Sequence, residues 1–464
     1  MKLSPDELLH ITHLEFRRRE KLTGKTIIGV STDSRTVREG ELFVALRGGN
    51  FDGHKFLAAA FEKGCVAAVV DANARIDAVE TMPLLVVQDT TRALGEIARY
   101  YRSKFAIPFV AVGGSNGKTT TKDMIASVLR TRYHVLHTEG NLNNHLGVPQ
   151  TLFRLEKKHD IAVIELGTNH LGEIAYLCEI LDPTHGVITN IGREHLEFFK
   201  TIAGVAKEEA VLFATLHRKK GAVAFVNADD KHLVAKSKKL KTKVTYAFST
   251  QRASVCGNLL DVDARGCAEF SFASKNSKRS TRVKLSIPGK HNAQNALAAA
   301  TIGLTFKVPA QKIKNVLERF TPASKRMETV TIGGIQVLND SYNANPDSML
   351  AALHTLASTQ ASGKRIAVLA DMKELGEASG DEHTRIGKEI SSLPIDYLLT
   401  FGEEAKRIYD AAKIQYKFHY DQKNMLAEYL VELVGPGDAV LIKGSRSMKM
   451  EDILVFMNER LSGA

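Results

Sequence analysis

The apolar run Ile107-Pro-Phe-Val-Ala-Val112 passes into Gly113-Gly-Ser-Asn-Gly-Lys-Thr-Thr120 and then into a helix-forming stretch, Thr121 to Arg132. Strand, glycine-rich turn and helix in that order are the setting of a phosphate-binding loop, and no other feature limits the fold as much. The glycines let backbone N–H groups approach phosphate oxygens, and the helix turns its positive end towards them. Lys118 is placed to reach the terminal phosphates of ATP, and the Thr119 hydroxyl to bind magnesium. One position departs from the full pattern: Val112 stands where such loops begin with Gly.

Around this loop the chain repeats a single texture. Further apolar runs at Ile161 to Leu166, Gly186 to Ile191 and Ala222 to Val226 are separated by segments long enough for crossover helices, which predicts a parallel, doubly wound sheet. Before it, Glu41 to Leu46, Val66 to Val70 and Leu84 to Val87 alternate with glycine-rich turns, as in a small α/β unit. After the polar, proline-containing stretch Phe320-Thr-Pro-Ala-Ser-Lys-Arg326, strands are expected near Ile335 to Leu338, Arg365 to Leu369, Tyr397 to Phe401 and Ala439 to Ile442. The expected architecture is therefore three α/β domains: a small N-terminal domain over residues 1–105, a central phosphate-loop domain over 106–320, and a Rossmann-like C-terminal domain over 321–464.

Composition narrows the chemistry. The 464 residues carry 63 Lys and Arg against 52 Asp and Glu, a net charge of +11 that suits anionic partners such as nucleotides or phosphorylated sugars. The basic clusters His217 to Lys220, Lys236 to Lys243 and Lys275 to Lys284 lack interleaved aromatics, so they read as solvated faces and not as a nucleic-acid surface. The 4 cysteines are scattered without a C-x-x-C pair and read as buried or incidental thiols. No apolar run approaches membrane-spanning length. The charged start shows no signal peptide, Ser4-Pro-Asp-Glu7 reads as a capped helix beginning, and the chain is expected in the cytoplasm.

Phosphoryl transfer calls for metal-binding groups at the C-terminal ends of neighbouring strands. Glu165 closes Ile161-Ala-Val-Ile-Glu165, and His195 follows Thr189-Asn-Ile-Gly-Arg-Glu-His195 just past the next strand. Both stand where a magnesium ligand should stand. Asn141, Asn143 and Asn144 lie on a loop after another strand and by pattern alone are turn residues.

Taken together, Gly114-Ser-Asn-Gly-Lys-Thr-Thr120, Asn141 to Gly147, Glu165-Leu-Gly-Thr-Asn169, Thr189 to Gly192 with His195, and Pro288-Gly-Lys-His-Asn-Ala-Gln-Asn295 resemble the ATP domain of the Mur ligases. Those are the bacterial amide-forming ligases of peptidoglycan precursor synthesis, and folylpolyglutamate synthases share the domain. Asp340-Ser-Tyr-Asn-Ala-Asn-Pro-Asp-Ser-Met349, Asp371-Met-Lys-Glu-Leu-Gly376 and Leu441-Ile-Lys-Gly-Ser-Arg446 resemble one subgroup, which joins D-alanyl-D-alanine to UDP-N-acetylmuramoyl-tripeptide. Thr32-Asp-Ser-Arg35, Leu42 to Leu46 and Asp52-Gly-His54 are similar to that subgroup's UDP-sugar-binding domain. Two positions differ from the family pattern, Ala370 for Gly and Gly113 for Thr, and neither removes a phosphate or metal ligand.

The resemblance implies residue roles. Gly114, Ser115, Asn116, Gly117, Lys118, Thr119 and Thr120 would bind the ATP phosphates, and His291, Asn292 and Asn295 would lie near the base. Arg326 and Asp340 would close onto ATP from the C-terminal domain, with Asp340 at the ribose. Two magnesium ions would involve Thr119, Glu165, His195 and Lys207, with Lys207 carbamylated so that an ammonium becomes an anionic oxygen ligand. Thr32, Asp33, Ser34 and Arg35 would face the UDP end; Asn141, Asn143, Asn144, Tyr342, Asn343 and Asn345 would also contact substrate, and Lys443, Ser445 and Arg446 would hold the dipeptide. Lys118, Glu165, His195 and Lys207 would be the catalytic set. The implied partners are the two substrates, with no nucleic acid and no membrane insertion, and the implied state is a monomer.

Overall fold

Each apolar run singled out above becomes a strand, and the reason is local: short, β-branched segments bounded by Gly, Pro or Asp bury on a pleated surface and cannot continue as helices. The phosphate-loop strand is Phe109–Gly113, and its helix starts at Lys118, three residues before the expected Thr121, and runs to Arg130. Ser4 and Glu7 form the reciprocal bonds of a capping box, 2.8 and 3.2 Å, at the helix Pro5–Leu8.

The computed structural model describes all residues except 9–10, 12–14, 50, 75, 77–81, 276, 278, 323–324 and 462–464. Ala323 and Ser324 of the polar stretch and Asn276 and Lys278 of the third basic cluster thus lie outside the described residues. The chain forms two compact units, one from residues 1–111, 133–168 and 173–184, the other from 112–132, 169–172 and 185–464. Among the described residues no helix is long and apolar enough to cross a membrane.

In the first unit a five-stranded sheet has the spatial order Glu15–Arg17, Leu84–Val87, Ala67–Asp71, Glu41–Val44, Gly29–Ser31, parallel except at the Glu15–Arg17 edge. Phe43, Leu57, Ala68, Val70 and Leu84 form a core beneath it. The helix Thr90–Ser103 is capped by Asp89 and carries the buried Arg102, which donates to the carbonyls of Leu181 (2.6 Å) and Asp182 (2.7 Å) at the end of the helix Glu173–Leu181. The strands Val135–His137 and Ile161–Glu165 pair in parallel in the same unit.

In the second unit His185–Ile188, Val223–Asn227, Lys243–Ala247 and Val255–Val262 lie side by side in parallel. The sheet then continues as an antiparallel meander through Cys267–Ser274 and Thr281–Pro288, which the sequence reading did not contain. These strands alternate buried and exposed positions, the mark of a sheet wet on one face, and so carry no continuous apolar run. The alanine-rich helix His291–Thr305, buried along most of its length, packs against Lys118–Arg130.

The C-terminal sheet has the order Glu328–Ile332, Ile335–Asp340, Ala439–Lys443, Arg365–Ala370, Tyr397–Phe401, Tyr416–Tyr420, parallel except at its first pair. Separate apolar clusters cover its two faces, as in a doubly wound fold. Asp340, Ala370 and Lys443 therefore end adjacent strands at one edge, the edge where such folds bind ligands. Of the cysteines, Cys65, Cys178 and Cys267 are buried and all four are free thiols.

Candidate active site

The phosphate loop is shaped by two glycines that no other residue could replace without strain. Gly114 has φ +113° and a Cβ there would meet the Thr189 hydroxyl at 2.3 Å; Gly117 has φ +76° and a Cβ would meet Asn295 at 2.6 Å. The turn therefore runs against its neighbours and delivers the N-terminus of Lys118–Arg130, whose first N–H groups have no partners inside the helix. Ser115 N–H donates to the Asn190 carbonyl (2.9 Å), Asn116 N–H to Asn190 Oδ1 (3.1 Å), and Thr189 Oγ1 to the Asn116 carbonyl (2.7 Å).

Lys118 curls back over its own loop. Its ammonium donates to the Gly114 carbonyl and lies 3.2 Å from Glu194 Oε2, with only 14% of the side chain exposed. Behind it Glu209, wholly buried, accepts from the Gly114 N–H at 2.8 Å. Burial and the neighbouring Glu194 push the Glu209 carboxyl up to about 8, against the opposing pull of Lys118. Neither carboxylate carries a sequence signal of its own: Glu194 hides beside His195, and Glu209 reads as one of two helix-surface acids.

His195 holds a left-handed backbone, φ 47°, and its Nδ1 lies 2.6 Å from Glu374, which itself has φ 63°. The close His195 imidazole keeps the Glu374 carboxyl below its ordinary range. Lys207 is exposed on the helix Ile202–Glu209, and its ammonium has no ion pair or hydrogen bond among the described residues. Its neighbour Glu208 is buried and accepts from Gly172 N–H at 3.0 Å. Asn292 and Asn295 are buried in the first turns of the helix His291–Thr305, Asn295 donating to Asn292 at 3.0 Å and lying against Gly117; His291 is exposed there.

At the C-terminal sheet edge Asp340 pairs with the buried Lys443, whose ammonium also donates to the Asn343 carbonyl at 3.0 Å. Two guanidinium groups approach the Tyr342 ring, Arg326 at 3.8 Å and Arg446 at 5.7 Å from its centre. Ser445 accepts from Lys373 N–H (2.8 Å) and Arg446 N–H donates to Asn343 Oδ1 (3.2 Å). The expected residues of this edge are thus brought together, with Lys443 committed to Asp340.

In the first unit the buried Glu165 accepts from Asn143 Nδ2 at 2.8 Å, while Asn144 Oδ1 accepts from the N–H groups of Leu146 and Gly147. Asn143 therefore orients a strand-end carboxylate, and Asn144 is a turn residue. Arg35 folds its fork onto Asp33, with Nη2 to Oδ2 at 2.7 Å and Nε to Oδ1 at 2.9 Å, and Gln150 donates to the Thr32 hydroxyl at 3.3 Å. Ser34 completes this half-buried turn.

The donor set fits magnesium bound with nucleotide. Among the described residues no three His, Cys, Asp or Glu groups converge as a metal site. Magnesium is commonly held by one or two carboxylates plus substrate phosphates, so the Thr119 hydroxyl at the phosphate loop and, in the first unit, the strand-end carboxylate of Glu165 are each groups of the right chemistry.

Comparison with known proteins gives a consistent likeness. Residues 26–102 match the model of the Mur ligase family catalytic domain, residues 112–303 the Mur ligase middle domain, and residues 325–446 the Mur ligase glutamate ligase domain. The chain is 36% identical over 439 residues to the UDP-N-acetylmuramoyl-tripeptide–D-alanyl-D-alanine ligase of Escherichia coli K12, covering 94% of each protein. It is 34% identical to the ligase of that name from Bacillus subtilis, covering 93% of each. Among solved structures, MurF from Acinetobacter baumannii superposes with a TM-score of 0.90 at 32% identity over 99% of both chains. MurF from Thermotoga maritima in complex with ADP gives 0.81 at 28% identity, covering 94% of this chain and 98% of that one.

Proposed function

This chain belongs to the Mur ligase family, and on that premise we propose that it joins D-alanyl-D-alanine to UDP-N-acetylmuramoyl-tripeptide, consuming ATP and passing through an acyl phosphate. The observation that carries this reading is likeness over nearly the whole chain to ligases of that name, three domains included. The working division is a UDP-sugar domain over 1–105, an ATP domain over 106–320 and a C-terminal domain over 321–464. The enzyme acts as a monomer in the bacterial cytoplasm.

A carboxylate is a poor electrophile, and phosphorylation gives it a good leaving group; the protein's part is positioning and charge neutralisation. Lys118, already held over the loop by Gly114 and Glu194, moves its ammonium onto the β and γ phosphates, while the helix N-terminus supplies N–H donors. Thr119, Glu165, His195 and a carbamylated Lys207 are the residues proposed to hold two magnesium ions, which supply neutralisation of charge developing on the transferred phosphoryl group. The exposed position of Lys207 leaves its amine reachable by carbon dioxide, and among the described residues it has no ion pair. Arg326 and Tyr342 offer a stacked cationic face at the C-terminal sheet edge, and Asp340 an acceptor for a ribose hydroxyl.

The test is phosphate release from ATP with UDP-N-acetylmuramoyl-tripeptide, with and without D-alanyl-D-alanine, together with product mass. Release that needs both substrates, with a mass gain of one dipeptide less one water, is expected. No release with either the lysine or the diaminopimelate form of the tripeptide would remove the subgroup assignment while leaving the ATP site.

A further inference from the structure

Four consecutive residues of the second unit face two ways in alternation. Gly192 N–H donates to the phosphate-loop Ser115 hydroxyl at 2.9 Å, and Glu194 pairs with Lys118 at 3.2 Å. Between and after them, Arg193 and His195 turn to the C-terminal sheet domain. Arg193 N–H donates to Asp347 Oδ2 (2.6 Å), its guanidinium reaches Asp347 Oδ1 (3.0 Å) and Glu382 (3.0 Å), and His195 meets Glu374 at 2.6 Å. A Cβ at Gly192 would lie 2.6 Å from Asp347 Oδ2, so the glycine is what permits the approach.

Beside this segment, Asn345 has both ends of its side chain engaged. Its oxygen accepts from Ser348 N–H (2.8 Å), capping the helix Pro346–Ser358, and its amide donates to Asn116 Oδ1 of the phosphate loop (2.9 Å). Asn345 and Asp347 both belong to the ten-residue run that resembles one subgroup of the family. Their side chains are spent on the phosphate loop and on the segment that braces it.

We propose that Asn345 and Asp347 are positioning residues for the ATP half of the reaction, clasping Asn116 and Arg193 so that the C-terminal domain holds Ser115 and Lys118 in place through residues 192–195, and that they do not read the dipeptide. This rests on the ligase reading given above. The clasp is a set of contacts made only while the two domains are together, so its loss lowers the share of molecules with an assembled site and leaves nucleotide binding to the loop itself largely intact.

The experiment uses the full chain with Asp347→Asn, Arg193→Gln, the pair combined, and Asn345→Ser, which keeps a good helix cap and removes the amide that reaches Asn116. Each single change is expected to lower kcat by about tenfold, with KM for D-alanyl-D-alanine unchanged. The double change is expected to be no worse than the more severe single one, because both remove the same contact. Ion pairs that stay partly open to solvent contribute little to stability, so melting temperatures should stay within about 2 °C. Small-angle scattering with a non-hydrolysable ATP analogue reads closure without turnover: the parent chain should contract and Asp347→Asn should contract less. A kcat within about twofold of the parent in both Asp347→Asn and Asn345→Ser overturns the proposal, as does a rise confined to KM for the dipeptide. If the parent chain makes no product, the ligase reading fails, and scattering alone still decides the clasp.

Discussion

Two loops of this molecule are expected to handle anionic oxygen, and they are built in opposite ways. The phosphate loop is held by residues far away in sequence: Thr189, Asn190, Glu194, Glu209 and Asn295 all press on or bond to it. The turn Thr32 to Arg35 is held mostly by itself, with Arg35 folded onto an acid two positions back and its side chain 86% exposed. The first is preorganised, and reorganising it costs rate; the second is free to re-aim, and its residues act chiefly on binding.

This contrast orders the expected effects of substitution. Gly114→Ala forces a side chain into a left-handed position against the Thr189 hydroxyl, and kcat should fall by about a thousandfold or more. Near-parent turnover would show that the loop is looser than its contacts suggest. Lys207→Ala should lower kcat by about a hundredfold and be partly restored by a small exogenous carboxylate, whereas full activity without rescue removes the carbamate role.

On the other side of the comparison, Arg35→Ala should raise KM for the UDP substrate by about tenfold with kcat little changed, measured by steady-state kinetics. A fall in kcat alone would place Arg35 with the preorganised groups. Smallest of all is Asp33→Asn. Arg35 holds Asp33 down to about 2, so the pair's contribution to stability is present above the ordinary carboxylate pKa and is lost only as pH falls through about 2. Because the pair is open to solvent, thermal melts of the variant and the parent should run parallel from about pH 4 to pH 8. A widening gap within that range would mean the turn is braced by more than its own residues.

The same division separates what could be read from the sequence and what could not. The loop Gly113 to Thr120 was legible because strand, glycine turn and helix are contiguous and their chemistry follows from backbone geometry. The parallel strands were legible because burial on both faces leaves unbroken apolar runs such as Ile161 to Ile164. The antiparallel meander from Val255 to Pro288 was not, since its strands are wet on one face and its basic residues masked the alternation. Asn345 looked like a substrate contact because its run resembles a subgroup; the structure shows a helix cap that also reaches the phosphate loop. Glu209 carries no local sequence signal and is buried under Gly114.

By itself the sequence determined the position of the phosphate loop, the α/β alternation and the likeness to a ligase family, because each is carried by residues adjacent along the chain. Tertiary structure alone decided which carboxylates brace Lys118, which glycines admit a neighbour, and that residues 192–195 join the phosphate loop to the C-terminal domain. Those are contacts between segments up to 229 positions apart, as between Asn116 and Asn345, and no local pattern encodes a partner that only packing brings near.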